Sequence, residues 1–237
     1  MHARRTAELT RETYGADHPK YAVSVANVAV PLKELGRHEE AVAHYEQARK
    51  GLGQGKGAVY AQAQLRCNMA NLLLGINELQ RARRQLEAAS SIIEDHGLQD
   101  RSLTVIVETL WTNLLRLEGD LDASRLHGES AVENSTRRYG EPHFRTSDAL
   151  TALARTELEA GENDRARALV ERSLQYETTV AADLARAQYV LGRVLWEADD
   201  DRARALELLR SARELLESAP SYALERDEVS DWLDEHP

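Results

Sequence analysis

The sequence predicts an all-α protein, a right-handed superhelical solenoid of antiparallel helix pairs that ends in a C-terminal capping helix. A turn recurs at Gly36, Asn77, Gly119 and Gly161, at intervals of 41 or 42 residues. A period of this length is typical of a stacked repeat, because a single helix pair is too small to bury its own apolar face. Apolar residues on both sides of each turn follow the three-and-four spacing of a helix stripe.

The first complete unit, residues 19–52, shows why each unit is predicted to hold two helices. Its first apolar stripe stops at Gly36, and a second stripe begins at Ala41. Glycine readily adopts the left-handed conformation that ends a helix, and asparagine is the next best residue for that position. Pro31 lies inside the first stripe, so we expect a kinked helix that is not lost.

The remaining elements follow in chain order and complete a single solenoid domain. Residues 1–17 look like the second helix of a unit whose first helix is absent, so we expect a longer protein. Residues 222–237 are predicted to form a capping helix with Val229 and Trp232 on one side, because the terminal unit must cover the last exposed face. The other predicted helix pairs are residues 58–96, 101–138, 142–177 and 180–218, with Asp199–Asp201 replacing the glycine turn in the last pair.

Small residues recur seven positions apart in the second helix of each unit. This spacing places them on one helix face, where close antiparallel packing of two helices requires little side-chain volume. A larger residue lies between the two small ones in most units, whereas Gly128 is predicted to leave that slot empty in the third unit. The small residues are Ala41, Ala48, Ala82, Ala89, Ser124, Ala131, Ala166 and Ser173.

Composition and charge narrow the classes of partner and the compartment. A net charge of −10 and a pI near 5.4 argue against nucleic acid as a partner, because phosphate binding needs clustered Lys and Arg. Cys67 is the only cysteine, which excludes an intramolecular disulfide and a thiolate-rich zinc site. No apolar run reaches the length of a membrane span, and no secretory signal precedes the repeats. We therefore expect a cytoplasmic protein without a membrane or nucleic-acid partner.

Motifs for catalysis or for a cofactor are not found in the sequence. The glycine-rich stretch at residues 51–57 fails as a phosphate loop, because Lys50 stands where its first Gly belongs and Gly57 replaces the Ser or Thr. We interpret that stretch as a flexible linker between units. No two histidines have metal-ligand spacing, and no catalytic triad can be assigned. We expect no enzyme activity, no metal and no cofactor in this chain.

The best candidate site is the polar side of the first helices, which line the concave groove in such an architecture. Two asparagines lie nine residues before their turns, and two more lie six residues before theirs. An amide both donates and accepts, so it can pair with either backbone group of a peptide, and arginine can hold a carboxylate or phosphate. The alternative is that these asparagines satisfy helix groups within the stack. The candidate residues are Asn27, Asn68, Asn71, Asn113, Arg116 and Arg155.

Residues 13–50 (TYGADHPKYAVSVANVAVPLKELGRHEEAVAHYEQARK) carry a family resemblance. The YG.DHP loop, the N-x-A segment and the GR.EEA turn resemble tetratricopeptide repeats of the long, kinesin-light-chain type. The resemblance covers about residues 5–176, with fidelity that falls from unit to unit. It implies a noncatalytic scaffold for a protein or peptide, and in similar proteins the matching asparagines grip the backbone of an extended peptide.

The last third of the chain resembles the C-terminal end of large bacterial serine/threonine protein kinases that carry such repeats. The chain has no glycine-rich loop with its lysine, no HRD and no DFG, so the kinase itself is not in this sequence. This resemblance implies an alternative function, a regulatory or dimerisation segment of a larger bacterial signalling enzyme. The sequence leaves open whether the chain forms a homo-oligomer.

Overall fold

The computed structural model describes residues 2–16, 18–53, 56–99, 102–178 and 180–236, and this part of the chain is helical without any strand. The all-α prediction is confirmed. The α-helices are α1 His2–Tyr14, α2 Pro19–Glu34, α3 His38–Gly51, α4 Lys56–Leu74, α5 Leu79–Asp95, α6 Ser102–Leu117, α7 Leu121–Tyr139, α8 Phe144–Glu159, α9 Asn163–Ser173, α10 Ala181–Glu197, α11 Arg202–Glu217 and α12 Ala223–Glu235, with a short 3-10 helix at Pro220–Tyr222 before α12.

Successive helices pack as pairs within two compact units. Unit 1 comprises Met1–Leu103 and unit 2 comprises Thr104–Pro237. In unit 1, α2 packs on α3 and α4 on α5, and in unit 2, α8 packs on α9 and α10 on α11. Each pair is joined by one of the recurring turns. No helix in the described ranges has the length and apolar character that a membrane span needs.

The five turns that join the helix pairs have the same backbone geometry, as the sequence predicts. The turn residue has a positive φ between 52° and 83°. The residue after it donates its N–H to the carbonyl five positions earlier, with N···O distances of 2.8–3.2 Å. This bond closes the helix in a Schellman motif and satisfies a carbonyl that the helix end leaves free. The turn residues are Gly36, Asn77, Gly119, Gly161 and Asp199.

His18 and His143 begin α2 and α8 in the same way. Each Nδ1 accepts the backbone N–H two residues later, at 3.1 and 3.2 Å, and thereby caps the helix. Each imidazole ring also packs on the tyrosine four residues before it, with ring centroids 4.9 and 4.4 Å apart. The loops before α2 and α8 therefore have the same capping geometry at these residues, while Asp17 lies outside the described residues.

The linker predicted at residues 51–57 is shorter in the structure, because Gly51 ends α3 and Lys56 and Gly57 begin α4. Its Gln54 and Gly55 lie outside the described residues. The predicted continuity of the first helix is confirmed, because α2 continues through Pro31 to its end at Glu34. Proline removes one backbone donor there without ending the helix.

The small residues of the second helices are buried, but the slot at Gly128 is not empty. All eight small residues expose 2% of their surface or less. An ideal Cβ on Gly128 would lie 2.8 Å from Leu153 Cδ1 and 3.3 Å from Thr112 Cγ2. The prediction of an empty slot is therefore wrong: Leu153 of α8 fills it, because a partner helix can supply the volume that the glycine lacks.

The terminal helix α12 packs on α11 through an apolar side. Val229, Trp232 and Leu233 are buried in the core of unit 2, as predicted for the first two. The Trp232 ring meets the edge of Trp196 on α10, with centroids 5.4 Å apart. Aromatic edge contacts of this kind add to the free energy gained by burying the rings. The packing positions the polar side of α12 against α8 and α10.

Candidate functional site

The recurring turn defines one side of each first helix, which we call the first-helix face. It consists of the residues that precede the turn residue by 13, nine, six and two positions. These residues are three or four apart in sequence, so they lie next to one another on one side of the helix. In unit 1 this face belongs to α2 and α4, and in unit 2 to α6, α8 and α10. The two units differ in how much of this face is open to solvent.

In unit 1 the face of α2 exposes an amide between two apolar side chains. Asn27 is exposed, and Val23 and Val30, one turn to either side of it, are 42% and 46% exposed. Between them, Ser24, Val25, Val28 and Ala29 on the other sides of α2 are buried. Exposed valines next to a polar amide form a surface that can contact both the side chains and the backbone of a bound segment.

On α4 the same face is polar. Asn71 is exposed and Asn68 is half-buried, three residues apart and therefore on one side of the helix. Within the described part of the chain, the amides of Asn27, Asn68 and Asn71 have no hydrogen-bond partner. These groups keep both a donor and an acceptor available to a bound molecule. The structure places these three asparagines on the first-helix face of one unit.

In unit 2 the predicted residues are more enclosed. Asn113 on α6 is half-buried, and its amide also has no hydrogen-bond partner among the described residues. Arg116 is 7% exposed and donates from Nη1 to the carboxylate of Glu159 on α8. Burial and the neighbouring charge of Arg155 lower the pKa of Arg116, while Glu159 offsets part of that effect. Arg116 is therefore already neutralised by a carboxylate of the chain itself.

Arg155 on α8 is bound to a carboxylate of the terminal helix. Its Nη2 donates to Oε1 and Oε2 of Glu228 on α12, at 2.9 and 2.6 Å. The Arg155 guanidinium also lies over the ring of Tyr189, 5.7 Å from the centroid. Burial lowers the pKa of Arg155, but Glu228 and Glu225 outweigh it and leave that pKa raised. The arginine is held in its charged form inside the first-helix face.

Two further arginines of this face lie on α10 and were not among the candidate residues selected from the sequence. Arg193 lies six residues before Asp199, in the position that Arg155 occupies one unit earlier. It donates to the hydroxyl of Tyr189 at 2.9 Å and to Glu197 at 2.7 Å. Counting back from Asp199, as from the glycine turns, is the signal that could have found it.

Arg186 lies 13 residues before Asp199, at the other end of the face of α10. It donates to Asp183 at 3.1 Å and to Glu225 of α12 at 3.2 Å. Burial lowers the pKa of Arg186, whereas Glu225 and its other neighbours raise it by more, so the net shift is upward. Together with Arg155 and Arg193 it forms a cluster of arginines on α8 and α10, each paired with a carboxylate, which we call the arginine site.

The described residues offer no arrangement for metal chemistry. They contain no group of three or more His, Cys, Asp and Glu side chains placed to hold a metal ion. The arrangement of amides, valines and paired arginines is suited to binding peptide groups and carboxylates.

Part of the chain is similar to a known repeat family, and most of it is similar to solved structures. Residues 1–54 match the tetratricopeptide repeat family. The chain is similar to the crystal structure of BtubC (BKLC) from P. vanneervenii, at 19% identity and a TM-score of 0.65, over 90% of this chain and 87% of that one. It is also similar to YrrB, described as a TPR protein with an unusual peptide-binding site, at 17% identity and a TM-score of 0.46, over 93% and 97% of the two chains.

No curated protein matches the sequence significantly. The likeness to BtubC concerns the fold, and the family match concerns the first repeat. The chain is an all-α helical-repeat protein whose residues 1–54 match the tetratricopeptide repeat family.

Proposed function

We propose that the chain is a noncatalytic protein-binding scaffold that holds an extended peptide or protein segment on its first-helix faces. The observation that carries this proposal is the pair of exposed amides at Asn27 and Asn71, which have no partner within the described residues. An asparagine inside a helix is mildly unfavourable, so its recurrence on one face calls for a function. The family match of residues 1–54 supports the same reading.

In unit 1, Asn27, Asn68 and Asn71 would bind the backbone of the partner, and Val23 and Val30 would contact its side chains. Backbone binding gives affinity with little dependence on partner sequence, while the apolar contacts select among segments. In unit 2, Asn113 would play the same role. Arg116 and Arg155 already pair with Glu159 and Glu228, so they would bind a carboxylate of the partner only after releasing these two glutamates.

The test compares amide variants with a matched control. A phage-displayed library of linear peptides is selected on the wild-type chain, and the affinity of one selected peptide is measured by titration calorimetry. We expect the double variant N27A/N71A to bind it about ten-fold more weakly or worse, because two hydrogen bonds worth about 1 kcal/mol each are lost. Gln80, an exposed amide on α5 of the same unit, supplies the control Q80A.

Circular dichroism shows whether the variants keep their helices. Unchanged affinity of N27A/N71A, with intact helicity, would reject the amide assignment. A loss of equal size in Q80A would show that the peptide binds elsewhere on unit 1.

The alternative function is a regulatory or dimerisation segment of a larger bacterial signalling enzyme such as a serine/threonine kinase. Such a segment would make its contacts at the edges of the array and not in the groove, and Leu126 on α7, which is 68% exposed, is an apolar side chain outside the first-helix face. Sedimentation of the chain as a monomer at all concentrations would count against self-association. Cys67 is buried and is the only cysteine, and we propose the reducing cytoplasm as the compartment.

A further inference from the structure

The terminal helix α12 presents two carboxylates to the first-helix face of unit 2. Glu225 and Glu228 lie three residues apart and thus on one side of the helix. Glu228 accepts from Arg155 of α8, and Glu225 accepts from Arg186 of α10. Both arginines belong to the arginine site defined above.

An aromatic anchor continues the same side of α12. Trp232, four residues after Glu228, is 8% exposed, and the guanidinium of Arg193 lies 5.6 Å from its ring centroid. A cation over an indole face is favourable, and more so when both groups are shielded from water. Each of the three side chains at positions 225, 228 and 232 therefore contacts one arginine of the site: Glu225 contacts Arg186, Glu228 contacts Arg155 and Trp232 contacts Arg193.

The terminal helix α12 buries fewer residues than α8 to α11 do. Only Val229, Trp232 and Leu233 of this helix are buried, and no side chain caps its N-terminus. By contrast, α8 buries eleven of its residues. Segments with few buried apolar contacts open at lower free energy than the core around them. When α12 leaves, Arg155 and Arg186 lose the carboxylates of Glu228 and Glu225 and can pair with carboxylates of another molecule.

We infer that α12 is a built-in occupant of the arginine site, and that the site binds in its place an acidic helix of a partner protein. The partner helix carries two carboxylates three residues apart and an aromatic residue four positions after the second. This inference rests on the proposed function in one respect, because it takes the first-helix face as the binding surface. It adds the chemistry of the partner and the competition that regulates access.

The probe is a fluorescein-labelled peptide of residues 220–236, added to the full-length chain and followed by fluorescence polarisation. The wild type is compared with E225Q/E228Q/W232A, in which α12 lacks its three contacts with the arginine site. We expect the variant to bind the peptide at least about ten-fold more tightly than the wild type does. Adding R155A to the variant should return the affinity to the wild-type value or below. A peptide that itself carries the three substitutions should not bind.

The matched control replaces two acidic residues on α11 that lie outside the site. Glu207 and Glu214 are exposed, so E207Q/E214Q should bind the peptide no better than the wild type. A folded triple variant that gains no affinity would overturn the inference. So would peptide binding that does not depend on Arg155.

Hydrogen exchange on the wild type covers the case in which the triple variant does not fold. We expect the amides of α12 to exchange at least about ten-fold faster than those of α11, because α12 opens alone. Equal protection of the two helices would show that they open together and would overturn the inference.

Failure of this inference can be distinguished from failure of the proposed function. N27A/N71A lies in unit 1 and should leave binding of the 220–236 peptide unchanged. If library peptides depend on the two asparagines while the 220–236 peptide never binds, only the occupancy of the arginine site by α12 is wrong. If the 220–236 peptide binds and library peptides ignore the asparagines, only the amide assignment is wrong.

Discussion

Arg155 on α8 and Glu228 on α12 are 73 residues apart in sequence, and Nη2 of Arg155 donates to both carboxylate oxygens of Glu228. The arginine is 8% exposed at its side chain and the glutamate 36%. Within unit 2 this pair joins the terminal helix to a helix that lies two pairs earlier in the chain. The packing of the terminal helix therefore depends in part on the charge of an arginine that lies on the first-helix face.

Replacing Arg155 should destabilise unit 2. Loss of one partner of a fully buried ion pair costs about 3–5 kcal/mol, and we expect about 2 kcal/mol for R155A because water still reaches Glu228. Urea unfolding measures this change. The control R202A removes an arginine of α11 whose side chain is 59% exposed, and it should change the free energy of unfolding by less than about 0.5 kcal/mol. Similar losses in both variants would contradict the prediction.

The contribution of Glu228 should depend on pH. Burial raises the pKa of Glu228, but Arg155, with help from Arg116 and Tyr189, holds it below its ordinary value of 4.5. A carboxyl group with a lowered pKa stabilises the folded state above its unfolded pKa, and that stabilisation is lost as pH falls through the folded pKa. E228Q should therefore be less stable than the wild type near pH 7, and the difference should shrink as the pH falls below 4.5 and through the lowered pKa of Glu228.

Urea unfolding of wild type and E228Q across this pH range makes the comparison. E214Q, on α11, controls for the loss of an exposed carboxylate. A difference between E228Q and the wild type that is the same at both ends of the range would contradict the prediction.

Adding a methyl group at Gly128 should destabilise the contact between α7 and α8. The new Cβ would lie 2.8 Å from Cδ1 and 3.2 Å from Cβ of Leu153. Overpacking costs about 1–3 kcal/mol, and the gain in helix propensity of about 1 kcal/mol offsets part of it. We expect G128A to lose about 1 kcal/mol in thermal or urea unfolding. G128A/L153A should lose less than the sum of the two single variants, because Leu153 is the group that clashes; simple additivity would argue against the contact.

Substitution should raise the free energy of unfolding at one turn residue, Asp199, and lower it at another, Gly161. Asp199 has a φ of 52°, in the left-handed region that costs a side chain with a Cβ about 1 kcal/mol. D199G should therefore raise the free energy of unfolding by about 0.5–1 kcal/mol, since its exposed contact with Arg202 contributes little. G161A, at a φ of 78°, should lower it by about 1 kcal/mol. Stabilisation by G161A would show that the turn conformation is not required.

The repeat could be predicted from residues that are close together in sequence. Gly36, Gly119 and Gly161 mark the turns because a left-handed conformation excludes most side chains, and this preference needs no knowledge of the fold. The helix stripes are equally local. Counting from the turns also placed Asn27 and Asn71 on the exposed side of their helices, because the position of a side chain around a helix depends only on its distance from the turn.

The tertiary structure decided which groups meet. No local signal pairs Arg155 with Glu228 or fills the slot at Gly128 with Leu153, because each of these contacts joins two different helices and depends on how they pack. Two of the residues selected from the sequence, Arg116 and Arg155, already hold carboxylates of the chain, whereas the asparagines keep their amides free of partners within the described residues. The sequence by itself thus determined the helices and their exposed sides, and only the packing of distant helices decided which charges are paired and which surface is covered.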